Sequence, residues 1–364
     1  MLAVALAAAL AGCGSSDDDA PPPRGIEVAI QDNAVLLHRL YYGRDRAFDR
    51  LRELGVSWIR APLIWHQVER PDGSFDFSEA ESLVDAAREE GFQVQLGLIP
   101  PAPASATGDG RVGVVRPSPE RFAAFARAAA ERFRSRVRRW SIWNEPNLVN
   151  WLRPVAEMPE LYRALYEAGH RAIKSVSPDA QVLIGETAPH VRRGDGVAPL
   201  SFLRRLTAAG PLAADGWAHH SYDFEAPPER EYPGDDNVTL GSIDRLVRAL
   251  DRLAADGALR DRAGRPLDVW ITEFGYFQTT GRALAPRRRA DYVRRAFELA
   301  ASRYPRVRQL LQYLLVSPPE GFPGGRFDTS LLTRSGQPTP AFEALAGWAR
   351  AAAAAGVVVS PPAP

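Results

Sequence analysis

The sequence predicts a single-domain (β/α)8 barrel, and three observations carry that expectation. Eight short β-rich runs alternate with longer helix-patterned segments between about residues 25 and 350. One such barrel uses up nearly all of that length. No glycine-rich phosphate loop follows the first run, which counts against the runner-up, an open doubly wound sheet.

The β-rich runs, in order, are IEVAI (26–30), VSWIRA (56–61), FQVQLGLI (92–99), VRRWSIWN (137–144), AQVLIG (180–185), DGWAHHSY (215–222), LDVWITEF (267–274) and QLLQYLLV (309–316). Val, Ile, Trp, Phe and Tyr dominate them, as expected of strands buried on both faces. Between them lie segments such as SPERFAAFARAAAERF and MPELYRALYEAGHRAIKSV. Their apolar residues recur every three or four positions on an Arg- and Glu-rich background, the pattern of helices with one buried face.

The ends read differently. Residues 2–11, LAVALAAALA, are apolar but too short for a stable bilayer span, and they lead into Gly12, Cys13 and a polar, proline-rich stretch. This is expected to be an export signal over residues 1–13 with a disordered linker over 14–24. LAGC (10–13) resembles the lipobox of bacterial lipoproteins, which implies lipidation at Cys13 and a cell-surface lipoprotein. The alternative is an ordinary secretory signal with a chance cysteine. No Lys or Arg precedes Asp17, so the basic start of such a signal is missing. Cys13 is the only cysteine, which rules out a disulfide within the chain. Residues 351–364 are expected to be a flexible tail.

Charge narrows the partners. With 45 Lys+Arg against 44 Asp+Glu there is no net field to attract nucleic acid or an anionic membrane. A small polar or neutral ligand is favoured, and the chain is expected to act as a monomer. RFRSRVRR (132–139) and RRR (287–289) read as solvated helix faces, and Asn237, in a sequon-like NVT, as a helix N-cap.

In a barrel of this kind the chemistry sits where the strands run into the following loops. Glu145, in WNEPN, ends the fourth run, and Glu273, in ITEFGY, ends the seventh. Both therefore point into one mouth. Two facing carboxylates suit acetal hydrolysis, in which one protonates the departing oxygen and the other supports the cationic sugar carbon.

With both motifs in this order, the chain resembles clan A of the retaining glycoside hydrolases, and is similar to members of families 39 and 5. The resemblance implies that Glu145 is the acid/base, Glu273 the nucleophile, and Asn144 the amide that binds the sugar 2-hydroxyl. In WAHHSY, His220 and Tyr222 share one strand face and His219 the other. The clan's His-x-Tyr pattern implies a place for Tyr222 close to the nucleophile and leaves His219 structural. Two packed, hydrogen-bonded imidazoles are the alternative. Arg60 closes the second run among apolar neighbours and needs an anionic partner. In the clan, the arginine here contacts the nucleophile.

The stretch beginning WHQVERPDG is similar to one widespread in family 39, except that Arg70 stands where many members begin the turn with proline. Trp65, Trp143 and Trp151 lie beside strand ends and are candidate sugar platforms, each equally able to be core. Many clan members carry a tryptophan at the end of the eighth strand. This chain offers Tyr313 and Phe322 there instead.

The reading is thus a retaining O-glycoside hydrolase that uses no metal and no organic cofactor. The chain has six histidines, and none stands in an H-E-x-x-H pattern. A non-hydrolytic carbohydrate-binding protein on the same barrel and a transglycosylase with the same glutamates are the alternatives.

Overall fold

The eight apolar runs form eight strands: β1 (Glu27–Gln31), β2 (Trp58–Ile64), β3 (Gln93–Ile99), β4 (Arg139–Ile142), β5 (Gln181–Thr187), β6 (Trp217–His220), β7 (Val269–Phe274) and β8 (Val307–Tyr313). In the computed structural model, which describes residues 25–279 and 281–359, they close into one barrel in the ring order β1-β8-β7-β6-β5-β4-β3-β2. Every pairing around the ring is parallel. All eight C-terminal ends therefore open on one face, and residues 128 positions apart can meet there.

The helices that cover the barrel follow the sequence periodicity. In Pro119–Phe133, Phe122, Phe125, Ala126, Ala129, Ala130 and Phe133 form the buried stripe. Ser118 caps its start by accepting the backbone N–H of Arg121, and Pro119 occupies the first turn, where no N–H is needed. Met158–Val176 packs beside it in the same way. A two-stranded sheet, Leu212–Ala213 with Leu259–Arg260, lies outside the barrel and has no counterpart among the eight runs.

At the N-terminal face Arg139 is buried and bonded to Glu27 (2.6 Å) and Gln309 (3.0 Å), with its guanidinium 3.7 Å from the centre of the Trp58 ring. This corrects the expectation of a solvated basic run, because the last arginine of RFRSRVRR belongs to β4. The expectation also fails for Arg289 of RRR. It is 3% exposed and donates to the carbonyls of Tyr276, Thr329 and Ser330, tying the loop after β8 to the barrel. Asn237 is not an N-cap: its amide donates to Pro233 O (2.7 Å), and Thr239 caps the short helix that follows.

The barrel domain extends past residue 350. The last helix runs Pro340–Ala354, and Ile26 exchanges backbone hydrogen bonds with Val357 and Val359, so the C-terminal segment closes against the start of β1. Residues 1–24, with Cys13 and the expected signal and linker, lie outside the described residues, as do 360–364. No described helix is long and apolar enough to cross a membrane.

Candidate active site

β4 ends at Ile142, and the next residues turn sharply. Trp143 and Glu145 adopt φ of 71° and 39°, and Glu186 at the end of β5 has φ of 50°. Left-handed backbone at a non-glycine residue costs about 1–3 kcal/mol, so surrounding contacts must impose it. The N–H of Trp143 donates to Leu98 O (2.8 Å) and that of Glu145 to Glu186 O (2.9 Å). The buried indole of Trp143 donates to Trp151 O (2.7 Å). Gly185 permits the bend in β5, since a Cβ there would lie 2.5 Å from Ala218 O. These turns place Asn144 and Glu145 on the wall of the cavity at the C-terminal face.

Glu273 reaches the same cavity from β7. Its Oε1 accepts from Arg60 (2.9 Å) and its Oε2 from the Tyr222 hydroxyl (3.0 Å). Glu145 is held from two sides, by the Trp151 indole (2.8 Å to Oε2) and by His220 Nδ1 (2.9 Å to Oε1). The same nitrogen lies 3.6 Å from Glu273 Oε2. One imidazole thus limits how far apart the two carboxylates can stand.

Behind them is a third carboxylate that sequence reasoning missed. Glu186 is fully buried, and its Oε2 meets His220 Nε2 (2.9 Å), Thr272 Oγ1 (2.7 Å) and Arg60 (3.2 Å). A glutamate closing the otherwise apolar run before ETA carried the same signal that singled out Glu145 and Glu273.

The cluster sets the charge states of its members. Burial alone would lower the His220 pKa, but the charge of Glu273 and the bonds to Glu145 and Glu186 outweigh it and raise it to about 10. Burial would raise Glu186, but the charges of Arg60 and His220 prevail and hold it at about 2. For Arg60, burial is outweighed by Glu186 and Glu273, so it stays firmly cationic. Burial and the neighbouring Glu273 charge push the Tyr222 hydroxyl upward, keeping it a donor. His219 is excluded from this chemistry. It points away, to Thr187 Oγ1 and Val238 O (both 2.9 Å), and burial lowers its pKa to about 3.

The cavity measures about 360 Å³, at the small end of the range for small-molecule sites. The Asn144 amide and the Tyr313 hydroxyl line it, and neither has a hydrogen-bond partner among the described residues. Gln31 and Asn33, from the end of β1, line it too. Gln31 accepts from Arg60 and donates to Asn33 Oδ1 (3.1 Å).

The aromatic wall differs from the sequence expectation. Trp65 is wholly buried against Phe125 (5.8 Å, 4° between planes) with its indole bonded to Glu69, so it is core and not a sugar platform. Trp143 is likewise wholly buried, against Phe122. Phe322 packs edge-on to Tyr41 (5.1 Å) and is not part of the cavity lining, whereas Phe327, five residues on, is. Phe327 meets Tyr222, Phe277 and Tyr313 at 5.3–5.8 Å, forming with Tyr313 one aromatic wall of the cavity. Nothing in the local sequence marks Phe327, because the loop between it and Tyr313 decides where it lands.

Both His220 nitrogens already face carboxylates, and among the described residues no group of His, Cys, Asp and Glu is arranged to hold a metal ion.

No family model matches the chain. A β-xylosidase of Geobacillus stearothermophilus is 34% identical over 98 residues, 26% of this chain and 18% of that enzyme. Among solved structures, a family 39 glycoside hydrolase from Bacteroides cellulosilyticus superposes with TM-score 0.69 at 21% identity, covering 90% of this chain and 64% of that one. A monomeric β-xylosidase from Caulobacter crescentus gives 0.61 at 20%, covering 90% and 68%. A family 39 enzyme from Xanthomonas axonopodis pv. citri gives 0.60 at 20%, covering 90% and 66%. The chain spans about two thirds of the length of these structures and under a fifth of the curated relative. Along nine-tenths of its length the chain therefore shares the (β/α)8 fold of solved family 39 glycoside hydrolases.

Proposed function

We propose that this protein is a retaining glycoside hydrolase acting on glycosides small enough for its cavity. The observation that carries the reading is the convergence of Glu145 and Glu273 on one nitrogen, His220 Nδ1, at 2.9 and 3.6 Å. Their nearest oxygens can be separated by no more than the combined length of these contacts. That favours the roughly 5–5.5 Å carboxyl spacing of retaining enzymes over most of the 6.5–9.5 Å range of inverting ones.

In the first step Glu145 gives its proton to the glycosidic oxygen as the bond to the anomeric carbon breaks. Glu273 bonds to that carbon, and the leaving group departs as an alcohol. In the second, water attacks the same carbon, its proton passes to Glu145, and the ester to Glu273 breaks. Arg60 and Tyr222 aim the two oxygens of Glu273, and the amide of Asn144, which lines the cavity, would hold the sugar 2-hydroxyl. Arg60 and His220 set two positive charges among the three carboxylates.

Relatives described as β-xylosidases make aryl β-xylosides the first substrates to try within a wider aryl-glycoside and polysaccharide panel. Monosaccharide release with retention of anomeric configuration, followed by proton NMR of the first product, is the expected result. First-formed product of inverted configuration would overturn the mechanism. A protein that binds sugars and cleaves none would overturn the enzyme reading. Export with a lipid anchor at Cys13, and action as a monomer, belong to the same proposal.

A further inference from the structure

His190 stands in the loop after β5 and faces the cavity beside Glu145, Leu148 and Trp151. Its position is built from several directions. Asn147, the wholly buried last residue of the WNEPN motif, accepts the N–H of Ala188 (2.8 Å) and donates to the carbonyls of Ala188 (3.2 Å) and Val197 (3.1 Å). The carbonyl of Pro189 accepts from Val238 (2.8 Å). The imidazole lies flat on Tyr232, with centroids 4.3 Å apart and planes 7° from parallel. Yet neither ring nitrogen has a hydrogen-bond partner among the described residues, and neither is sealed from the cavity or solvent. The ring is held by its face, and its hydrogen-bonding edge is open.

Its side of the cavity can be assigned if the hydrolase reading holds, and the inference rests on that reading. A leaving group takes its proton from Glu145 and must lie on the Glu145 side, while the transferred sugar lies over Glu273. The loops after β4 and β5 supply Glu145, Leu148, Trp151 and His190. Arg60, Tyr222 and Tyr313, from β2, after β6 and from β8, gather around Glu273. Leu148, Ala188 and Pro189 are apolar, and the Asn144 amide is assigned to the 2-hydroxyl of the transferred sugar, which leaves the open edge of His190 as the hydrogen-bonding side chain for the leaving group on this flank beyond Glu145 and the Trp151 indole committed to it. Burial lowers the His190 pKa, with Asp223 and Glu145 opposing and Arg282 and Arg192 assisting. A neutral imidazole presents one donor and one acceptor, the complement of a hydroxyl.

We propose that His190 reads the leaving group, hydrogen-bonding a hydroxyl of the sugar unit that departs on the Glu145 side. The substrate class that follows is an oligosaccharide or disaccharide, not a glycoside of a purely apolar alcohol.

The test compares two substrates with the same transferred sugar, a disaccharide and the corresponding glycosyl fluoride, whose leaving group, fluoride, carries no hydroxyl to read. In His190→Ala the ratio of kcat/KM for disaccharide over fluoride should fall about tenfold, the scale of one lost hydrogen bond. His190→Gln, which keeps a donor and an acceptor, should restore part of the ratio. Transfer of the glycosyl group to an added acceptor sugar, which enters the same flank, should fall relative to hydrolysis. A structural role for the Tyr232 stack would lower both substrates together and leave the ratio unchanged, and that result overturns the inference. Wild type that cleaves both substrates beside a His190→Ala variant with an unchanged ratio sinks this inference alone. Wild type that cleaves no glycoside sinks the hydrolase reading and this inference with it.

Discussion

His220 Nδ1 and Glu145 Oε1 lie 2.9 Å apart, and the other nitrogen of the same ring lies 2.9 Å from the buried Glu186. Two carboxylates facing both ring nitrogens make His220 a cation at neutral pH, raised to about 10. Glu145, the residue proposed to protonate the leaving group, therefore stands against a fixed cation.

Removing that cation should change both rate and pH response. His220→Gln is expected to lower kcat by about 10²–10⁴, the usual range for disturbing general acid–base catalysis, and to move the limbs of the pH–rate profile. The stability effect has a definite sign. The folded pKa, about 10, lies above the ordinary 6.5, so the stabilisation is fully present below pH 6.5 and is lost as pH rises through about 10. Thermal unfolding of wild type and variant across pH 6 to 10 checks this. Parallel curves would show that His220 does not carry the charge assigned to it.

The two glutamates should separate by leaving group. Glu145→Ala should cripple cleavage of a poor leaving group yet spare glycosylation by an activated aryl glycoside, which departs without a proton. Glu273→Ala should be nearly inactive on both. Added azide should rescue the two variants with opposite anomeric products. Equal losses on both substrates in folded variants, with no rescue, would mean that the wrong pair has been assigned.

Trp65 and Trp151 make opposite predictions although both stand beside strand ends. Trp65→Phe removes a buried indole and its bond to Glu69, so it should cost about 1–3 kcal/mol of stability and leave KM unchanged. Trp151→Phe removes the donor to Glu145 Oε2, so it should lower kcat with a smaller change in melting temperature. Paired melting curves and kinetics distinguish the two, and a raised KM in Trp65→Phe would return that ring to the substrate site.

Phe327→Ala should open the aromatic wall. The side chain is half-buried with several ring neighbours, so a stability loss of about 1–2 kcal/mol should accompany a rise in KM of roughly tenfold. A variant with unchanged KM would mean that substrate does not touch this wall.

The export proposal is tested in cell fractions. The protein should partition with membranes and be lipidated, and Cys13→Ala should appear in the soluble fraction. Wild type already soluble and unlipidated in its source would remove the anchor.

Periodicity made the barrel legible, because a strand buried on both faces and a helix buried on one stripe leave different spacings of apolar residues. It also brought Glu145 and Glu273 to one mouth, since residues at strand ends of a closed parallel barrel share a face whatever their separation in sequence. Arg60 among apolar neighbours implied a buried anion, and Glu273 and Glu186 lie beside it. Sequence alone left three things undecided. Whether an indole beside a strand end faces sugar or core depends on neighbours from other helices, as Phe122 and Phe125 show for Trp65. Whether a long loop presents Phe322 or Phe327 depends on buried anchors such as Arg289 and Asp328, far from either ring in their chemistry. The charge on His220 depends on carboxylates from three other strands meeting one imidazole, and such a sum of long-range contacts leaves no trace in the spacing along the chain.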